Sequence, residues 1–166
     1  MNIALIGRPN CGKSLLFNVL THGRQHVGNW PKVTVEKRAG RLTGHDDIYI
    51  QDLPGIYSLA PDSPDGRITI DYLQNEKPDR MLNIVDATNL SAGLYLTLQL
   101  RELDIPMVIA LNMMDLAAKD GIEIDHSGLA EALACPVIPI SAYKKSGLDE
   151  LIAVFMTGVK GYAAHS

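Results

Sequence analysis

Apolar positions along this chain group in two alternating ways. Short runs rich in Ile, Leu and Val, or in β-branched residues, cover 2–7, 34–42, 47–52, 80–86, 106–112 and 136–140, and each predicts a strand. Longer segments with apolar residues at helical spacing cover 13–21, 66–76, 91–103, 125–134 and 147–158. Strands alternating with helices predict an α/β domain, with a mostly parallel six-stranded sheet between two helical layers. Pro106 and Pro136 fall at strand starts, where a missing N–H costs least. One segment carries a mixed pattern: Leu94, Leu96, Leu98 and Leu100 alternate with Tyr95, Thr97 and Gln99, which is strand period. Leucine is nevertheless a good helix former, and two buried parallel strands need a crossover between them. The segment is therefore assigned to helix. Residues 22–33 and 55–66 are polar, rich in Pro and Gly and long for connections, which marks them as functional loops.

A chain of 166 residues fits one domain with a core large enough to stand without staples. The domain is placed at 1–160, with 161–166, which lack periodicity, as a fraying tail. A net charge of −4 argues against a nucleic-acid surface, which carries a basic excess. Two cysteines, Cys11 and Cys135, form no disulfide framework and suit a reducing cytosol. No apolar run approaches the ~20 residues of a membrane helix. The chain opens directly on a strand, without a signal peptide's basic region and cleavage site, and is expected to be soluble.

Chemistry enters at Gly7-Arg8-Pro9-Asn10-Cys11-Gly12-Lys13-Ser14. A strand before and a helix after, beginning near Leu15, give this glycine-bounded loop the context of a phosphate-binding loop. Backbone N–H groups and the helix dipole converge on one anion. Lys13 is expected to reach the β- and γ-phosphates and the Ser14 hydroxyl to bind Mg²⁺. Asp52-Leu53-Pro54-Gly55 ends a strand, so Asp52 can hold Mg²⁺ through a water and the Gly55 N–H can reach the γ-phosphate. Asn112-Met113-Met114-Asp115 follows another buried strand. The Asp115 carboxylate can accept from guanine N1 and N2, a donor pair adenine lacks, and such a paired contact discriminates strongly. Met113 can cover the base with its thioether. Asp115 also reads as a helix cap, and the two roles are compatible. Ser141-Ala142-Tyr143 follows a further strand, where the Ala142 N–H can donate to guanine O6. In order, these motifs make a guanine-nucleotide constellation on a small-GTPase-like P-loop NTPase fold. Thr34, just past the polar loop Gly28 to Val33, is the natural third Mg²⁺ ligand of a switch that closes on the γ-phosphate.

The combination of Gly-Asn-Trp-Pro at 28–31 with Val33-Thr34-Val35-Glu36-Lys37, Asp52-Leu53-Pro54-Gly55-Ile56-Tyr57-Ser58-Leu59, Val85-Asp86-Ala87-Thr88-Asn89-Leu90 and Asn112-Met113-Met114-Asp115 resembles the bacterial ferrous iron transport protein B (FeoB) family. Lys32 stands where that family usually has Gly, and 61–69 and Ser91-Ala92-Gly93 follow its pattern loosely. The resemblance covers nearly the whole chain. It implies the cytosolic GTPase domain of an inner-membrane protein that handles Fe²⁺. The family's helical and transmembrane domains, absent from this sequence, would be its partners, and any homo-oligomer would form through the full-length protein. The resemblance also implies K⁺ bound by Asn10, completed by carbonyls of Gly28 and Trp30. The ion takes the place where an arginine finger neutralises developing charge. Turn chemistry is the plain alternative for Asn10.

Small GTPases often carry Gln just after Asp-x-x-Gly; here it is Ile56, so hydrolysis is expected to be slow and to lean on Lys13, Asn10, Thr34 and Gly55. The direction of Arg8 is unreadable from sequence. Trp30 reads either as core or as an aromatic that moves with nucleotide state. His22 and His26 tempt an iron-site reading but lack a third ligand. Cys11 reads as a small loop residue whose thiol pKa an anion-attracting turn would lower. Competing functions are a K⁺-dependent GTPase of tRNA modification or ribosome assembly, and a sensing module in which nucleotide binding rather than turnover signals.

Overall fold

The sheet of the computed structural model, which describes residues 1–157, has strand order β2-β3-β4-β1-β5-β6-β7. The strands are β1 (Asn2–Gly7), β2 (Gln25–Asn29), β3 (Glu36–Leu42), β4 (His45–Asp52), β5 (Arg80–Asp86), β6 (Met107–Asn112) and β7 (Val137–Pro139). The pairs β4–β1, β1–β5, β5–β6 and β6–β7 are parallel; β2–β3 and β3–β4 are antiparallel. The helices are α1 (Lys13–Thr21), α2 (Pro64–Asn75), α3 (Leu90–Arg101), α4 (Met114–Lys119), α5 (His126–Leu133) and α6 (Leu148–Thr157).

Alternation along β1 explains the three layers. Ile3 and Leu5 face Leu16, Phe17 and Leu20 of α1 and Leu151 and Phe155 of α6. Ala4 and Ile6 face the opposite cluster, which includes Leu73 of α2, Leu96 and Leu100 of α3, Ala117 of α4 and Leu133 of α5. Successive residues of a strand point to opposite faces, so one apolar run serves both cores.

The sheet has seven strands, not six. Strand β2 lies in the segment read as a polar loop. Its sequence Gln-His-Val-Gly-Asn has one large apolar residue and is mostly exposed, so no burial pattern marks it. It exists by pairing with β3 as a hairpin, Gln25 opposite Gly40 through Asn29 opposite Glu36. Helix α4 was also missed, being six residues long, too short to show a period. Residues 94–100 lie in α3: Leu96, Thr97 and Leu100 are buried, while Tyr95 and Leu98 are exposed. That is the helical face, not the strand one. Helix α2 begins earlier than expected, at Pro64 in its first turn, with the Ser63 hydroxyl accepting from the Gly66 N–H, a standard start. Strand β3 begins at Glu36, leaving Thr34 outside it, and β7 is shorter than 136–140. Residue 158 of the last expected helix and the tail 161–166 lie outside the described residues. Among the described residues no helix is long and apolar enough to cross a membrane.

Candidate functional site

The site lies at the carboxyl ends of the parallel strands, where open α/β sheets bind ligands. The loop between β1 and α1 turns on Asn10 (φ 66°) and Gly12 (φ 91°). Gly12 also has no room for a side chain. A Cβ there would lie 2.3 Å from Asn112 Nδ2, so L-residues fail on both conformation and space. Helix α1 starts with no side-chain cap and no acid in its first turn. The N–H groups of Lys13, Ser14 and Leu15 are thus left for an anion.

Strand β4 pairs in register with β1, Leu5 opposite Asp52, which carries Asp52 to the mouth of this loop. The Lys13 ammonium donates to Asp52 Oδ1. Both side chains are about nine-tenths buried, at 11% and 10% exposure. Burial raises the Asp52 carboxyl above its ordinary range, and the Lys13 ammonium opposes that rise. The turn that follows is fastened to β1 and to the start of the phosphate loop. The Leu53 N–H donates to the Leu5 carbonyl at 3.1 Å and the Ile56 N–H to the Gly7 carbonyl at 3.0 Å. A Cβ on Gly55 would sit 3.1 Å from the Pro9 nitrogen, so the turn rests backbone to backbone on the phosphate loop. Leu53 and Ile56 are buried, and Pro54 is half-buried.

Asn112 at the end of β6 is buried. Its Nδ2 donates to the Cys11 carbonyl at 3.0 Å, and its Oδ1 accepts from the Ala142 N–H at 3.0 Å. One side chain thereby ties the phosphate loop to the Ser141-Ala142-Tyr143 loop. The Ala142 N–H, read from sequence as a donor to guanine O6, is engaged by Asn112 in this structure. Ser141 is buried, its Oγ accepting from the Lys144 N–H at 3.1 Å, whereas Tyr143 is 80% exposed. Met113 occupies the cap position of α4 in left-handed conformation (φ 65°), with its Cε 3.6 Å from the Gly12 Cβ position. The thioether thus lies beside the phosphate loop. Asp115 is in the first turn of α4 and is not its cap; the helix has no side-chain cap. Half-buried, its carboxylate makes no hydrogen bond or ion pair to any described residue.

The residues expected to form a first switch lie elsewhere. Thr34 is exposed in the loop between β2 and β3 and is hydrogen-bonded to none of Lys13, Ser14 and Asp52. Gly28 is in β2, opposite Lys37. Trp30 is 8% exposed and takes the core role: its ring meets Tyr72 of α2 edge-on, centroids 6.0 Å apart, and Lys37 Nζ lies 4.6 Å from its centroid. Its Nε1–H has no partner. The structure therefore gathers Lys13, Ser14, Asp52, Gly55, Asn112 and Ala142 and leaves Thr34, Gly28 and Trp30 with the β2–β3 hairpin.

Cys11 departs from expectation. Burial pushes its thiol up to about 11, with Lys13 opposing, because the sulfur points into the core cluster rather than to the anion cradle. His22 caps α1 and His26 is exposed on β2. No group of three or more His, Cys, Asp or Glu that can hold a metal exists among the described residues. The donor set for Mg²⁺ fits a hard ion: the exposed Ser14 hydroxyl without a protein partner and the Asp52 carboxylate, both oxygens. Sequence reasoning missed the bridging role of Asn112, which needs the fold to bring Cys11 and Ala142 to one strand end. Arg8, read from sequence as part of the nucleotide-binding loop with its direction open, stacks its guanidinium on Tyr57.

Residues 1–155 match the family model described as ferrous iron transport protein B. The chain is 50% identical over 152 residues to the Fe(2+) transporter FeoB of Legionella pneumophila (strain Paris), covering 89% of this chain and 20% of that protein. It is 46% identical over 156 residues to that of Escherichia coli (strain K12), covering 91% and 20%. The chain thus spans about a fifth of the length of these relatives. Among solved structures, a GDP-bound S. thermophilus NFeoB mutant superposes with TM-score 0.88 at 48% identity, over 99% of this chain and 62% of that one. The FeoB G-domain from Methanococcus jannaschii gives 0.80 at 43%, over 96% and 97%.

Proposed function

This chain belongs to the ferrous iron transport protein B family and has the fold of its GTPase domain, and from that premise we propose that it binds GTP and hydrolyses it slowly, with Mg²⁺ and with stimulation by K⁺. It does so as the cytosolic domain of an inner-membrane Fe(II) transporter. Its partners are the helical and transmembrane domains of the longer protein, and its cycle regulates or drives Fe(II) uptake. GDP in a solved relative and the Fe(2+) transporter naming of longer relatives support this reading. Family membership weighs against the tRNA-modification and ribosome-assembly alternative.

One observation carries the proposal. Asn112 joins the phosphate loop to the Ala142 loop while the Asp115 carboxylate, three residues further on, stays unpaired among the described residues. A half-buried carboxylate without a protein partner is free to accept from a ligand's donors. The N1–H and N2–H₂ edge of guanine supplies two. The phosphate end uses the N–H groups of Lys13 to Leu15 and the Lys13 ammonium, with Ser14 as a Mg²⁺ ligand and Asp52 holding the ion through a water. The metal would neutralise charge on the β- and γ-phosphates. Asn10, exposed and with its side chain unpartnered, is available to K⁺. Thr34 and the carbonyls of Gly28 and Trp30 join only after the hairpin moves.

A second reading, sensing without appreciable turnover, draws on the burial of Ile56 at 4% exposure, which leaves that position without a group to orient water. Phosphate release with GTP and ATP, each in K⁺ and Na⁺, separates them. GTP-selective release, faster in K⁺ and losing that gain in Asn10→Ala, is the expected result. Selective guanine binding without release supports the sensor, and equal turnover of ATP refutes both.

A further inference from the structure

The Arg8 guanidinium lies 5.0 Å from the centroid of the Tyr57 ring and makes no ion pair among the described residues. Tyr57 is two residues past Gly55, and its ring is 61% exposed. With Asn10, Asp86 and Asn89, the two side chains line a small cavity of about 230 Å³ between the phosphate loop and the start of α3. Asp86 Oδ1 accepts from the Thr88 N–H and hydroxyl, and Asp86 makes no ion pair with Arg8, whose guanidinium lies over the ring instead. A guanidinium over an aromatic face is attractive even in partly exposed settings.

Three contacts hold the turn at Gly55 to the phosphate loop. Two are backbone features, the Ile56 N–H on the Gly7 carbonyl and the seat of Gly55 on Pro9. The third, Arg8 on Tyr57, is the side-chain contribution. The next anchor is on α3, where Gln99 Oε1 accepts from the Leu59 N–H at 2.8 Å. Ile56 gives no water-orienting group, so the position of the Gly55 N–H matters more than in a turn that carries a polar side chain.

We propose that Arg8 is a positioning residue: stacked on Tyr57, it holds the Gly55 turn against the phosphate loop and sets where the Gly55 N–H meets the γ-phosphate. This rests on the GTPase reading. It assigns Arg8 to the turn and not to the phosphates, so Arg8 and Tyr57 act as one unit.

The test is a double-mutant cycle on Arg8→Ala and Tyr57→Leu, read as kcat and KM for GTP alongside GDP affinity and the unfolding midpoint. Each single variant is expected to lower kcat by about two- to fivefold, the range of a partly exposed cation–π contact, with GDP affinity nearly unchanged. The double variant falls no further than either single one, and Tyr57→Phe, which keeps the ring, restores what Tyr57→Leu loses. Multiplying losses in the double variant overturn the proposal. So does an Arg8→Ala that raises KM for GTP while Tyr57→Leu is silent, because that is an arginine on phosphate. A kcat loss that only tracks a lowered midpoint overturns it as well. Absence of phosphate release by the unaltered chain refutes the GTPase reading and the positioning role together, whereas release with an additive cycle refutes the positioning role alone.

Discussion

Lys13 and Asp52 neutralise each other where a nucleotide's phosphates and metal are expected, so the free protein holds its two most important charges as a buried pair. Removing one partner of such a pair costs more than the pair contributes. The pH dependence has a definite sign. Burial holds the Asp52 carboxyl above its ordinary pKa and Lys13 opposes this. Without Lys13 the folded pKa rises further above the unfolded one. A carboxyl of that kind favours the folded state below its unfolded pKa and loses that contribution as pH rises through its folded pKa. Lys13→Ala is therefore expected to cost about 1–3 kcal/mol near neutral pH, and clearly less around pH 4, in the nucleotide-free protein. Urea unfolding at the two pH values checks it; an equal loss at both contradicts the role given to the pair. The thiol of Cys11 shows why position in a loop does not settle chemistry. The same anion-attracting turn holds its N–H groups outward and its sulfur inward, so burial outweighs the field of Lys13.

The first switch is where local sequence and structure diverge most. Lys32 adopts φ 65°, left-handed backbone that costs a side-chain-bearing residue about 1–2 kcal/mol. The resemblance places Gly at this position, and the turn geometry gives the reason. Lys32→Gly is expected to raise stability by up to about 1 kcal/mol, the strain relieved less the extra freedom of Gly in the unfolded chain. Thermal unfolding measures it, and a fall in stability contradicts the strain. Trp30 is packed on Tyr72 with an indole N–H that has no partner, which makes its departure cheaper than its burial suggests. The Mg²⁺-ligand role proposed for Thr34 requires the loop from Trp30 to Val35 to shift. Trp30 emission should then move to longer wavelength with a non-hydrolysable GTP analogue and Mg²⁺, but not with GDP. Identical spectra count against a moving switch.

Elements with an apolar period were legible because burial writes that period: β1, β5, β6, α1 and α3 all stand where the pattern put them. Strand β2 was not, because it is held by pairing with β3 and buries little of its own. The motifs around Lys13, Asp52 and Asp115 were readable as short strings at strand ends. The clasp made by Asn112 was not, since its partners Cys11 and Ala142 are far away in sequence and meet only through sheet order.

For the molecule as a whole, strands β1, β4, β6 and β7 deliver four loops to one end, and Thr34 lies in the loop between β2 and β3 on the antiparallel side of the sheet. In the proposed cycle the parallel half supplies the phosphate and base contacts, and the hairpin half supplies the response to the third phosphate. In the proposed function Asp115 and the Asn112 clasp select guanine over adenine above the phosphate cradle at Lys13. Calorimetric titration of the chain with GDP and with ADP in Mg²⁺ tests it most directly. The account predicts GDP binding tighter by about a hundredfold or more, the discrimination expected when buried polar groups lose their partners. Equal affinities, or no binding of either, would contradict it.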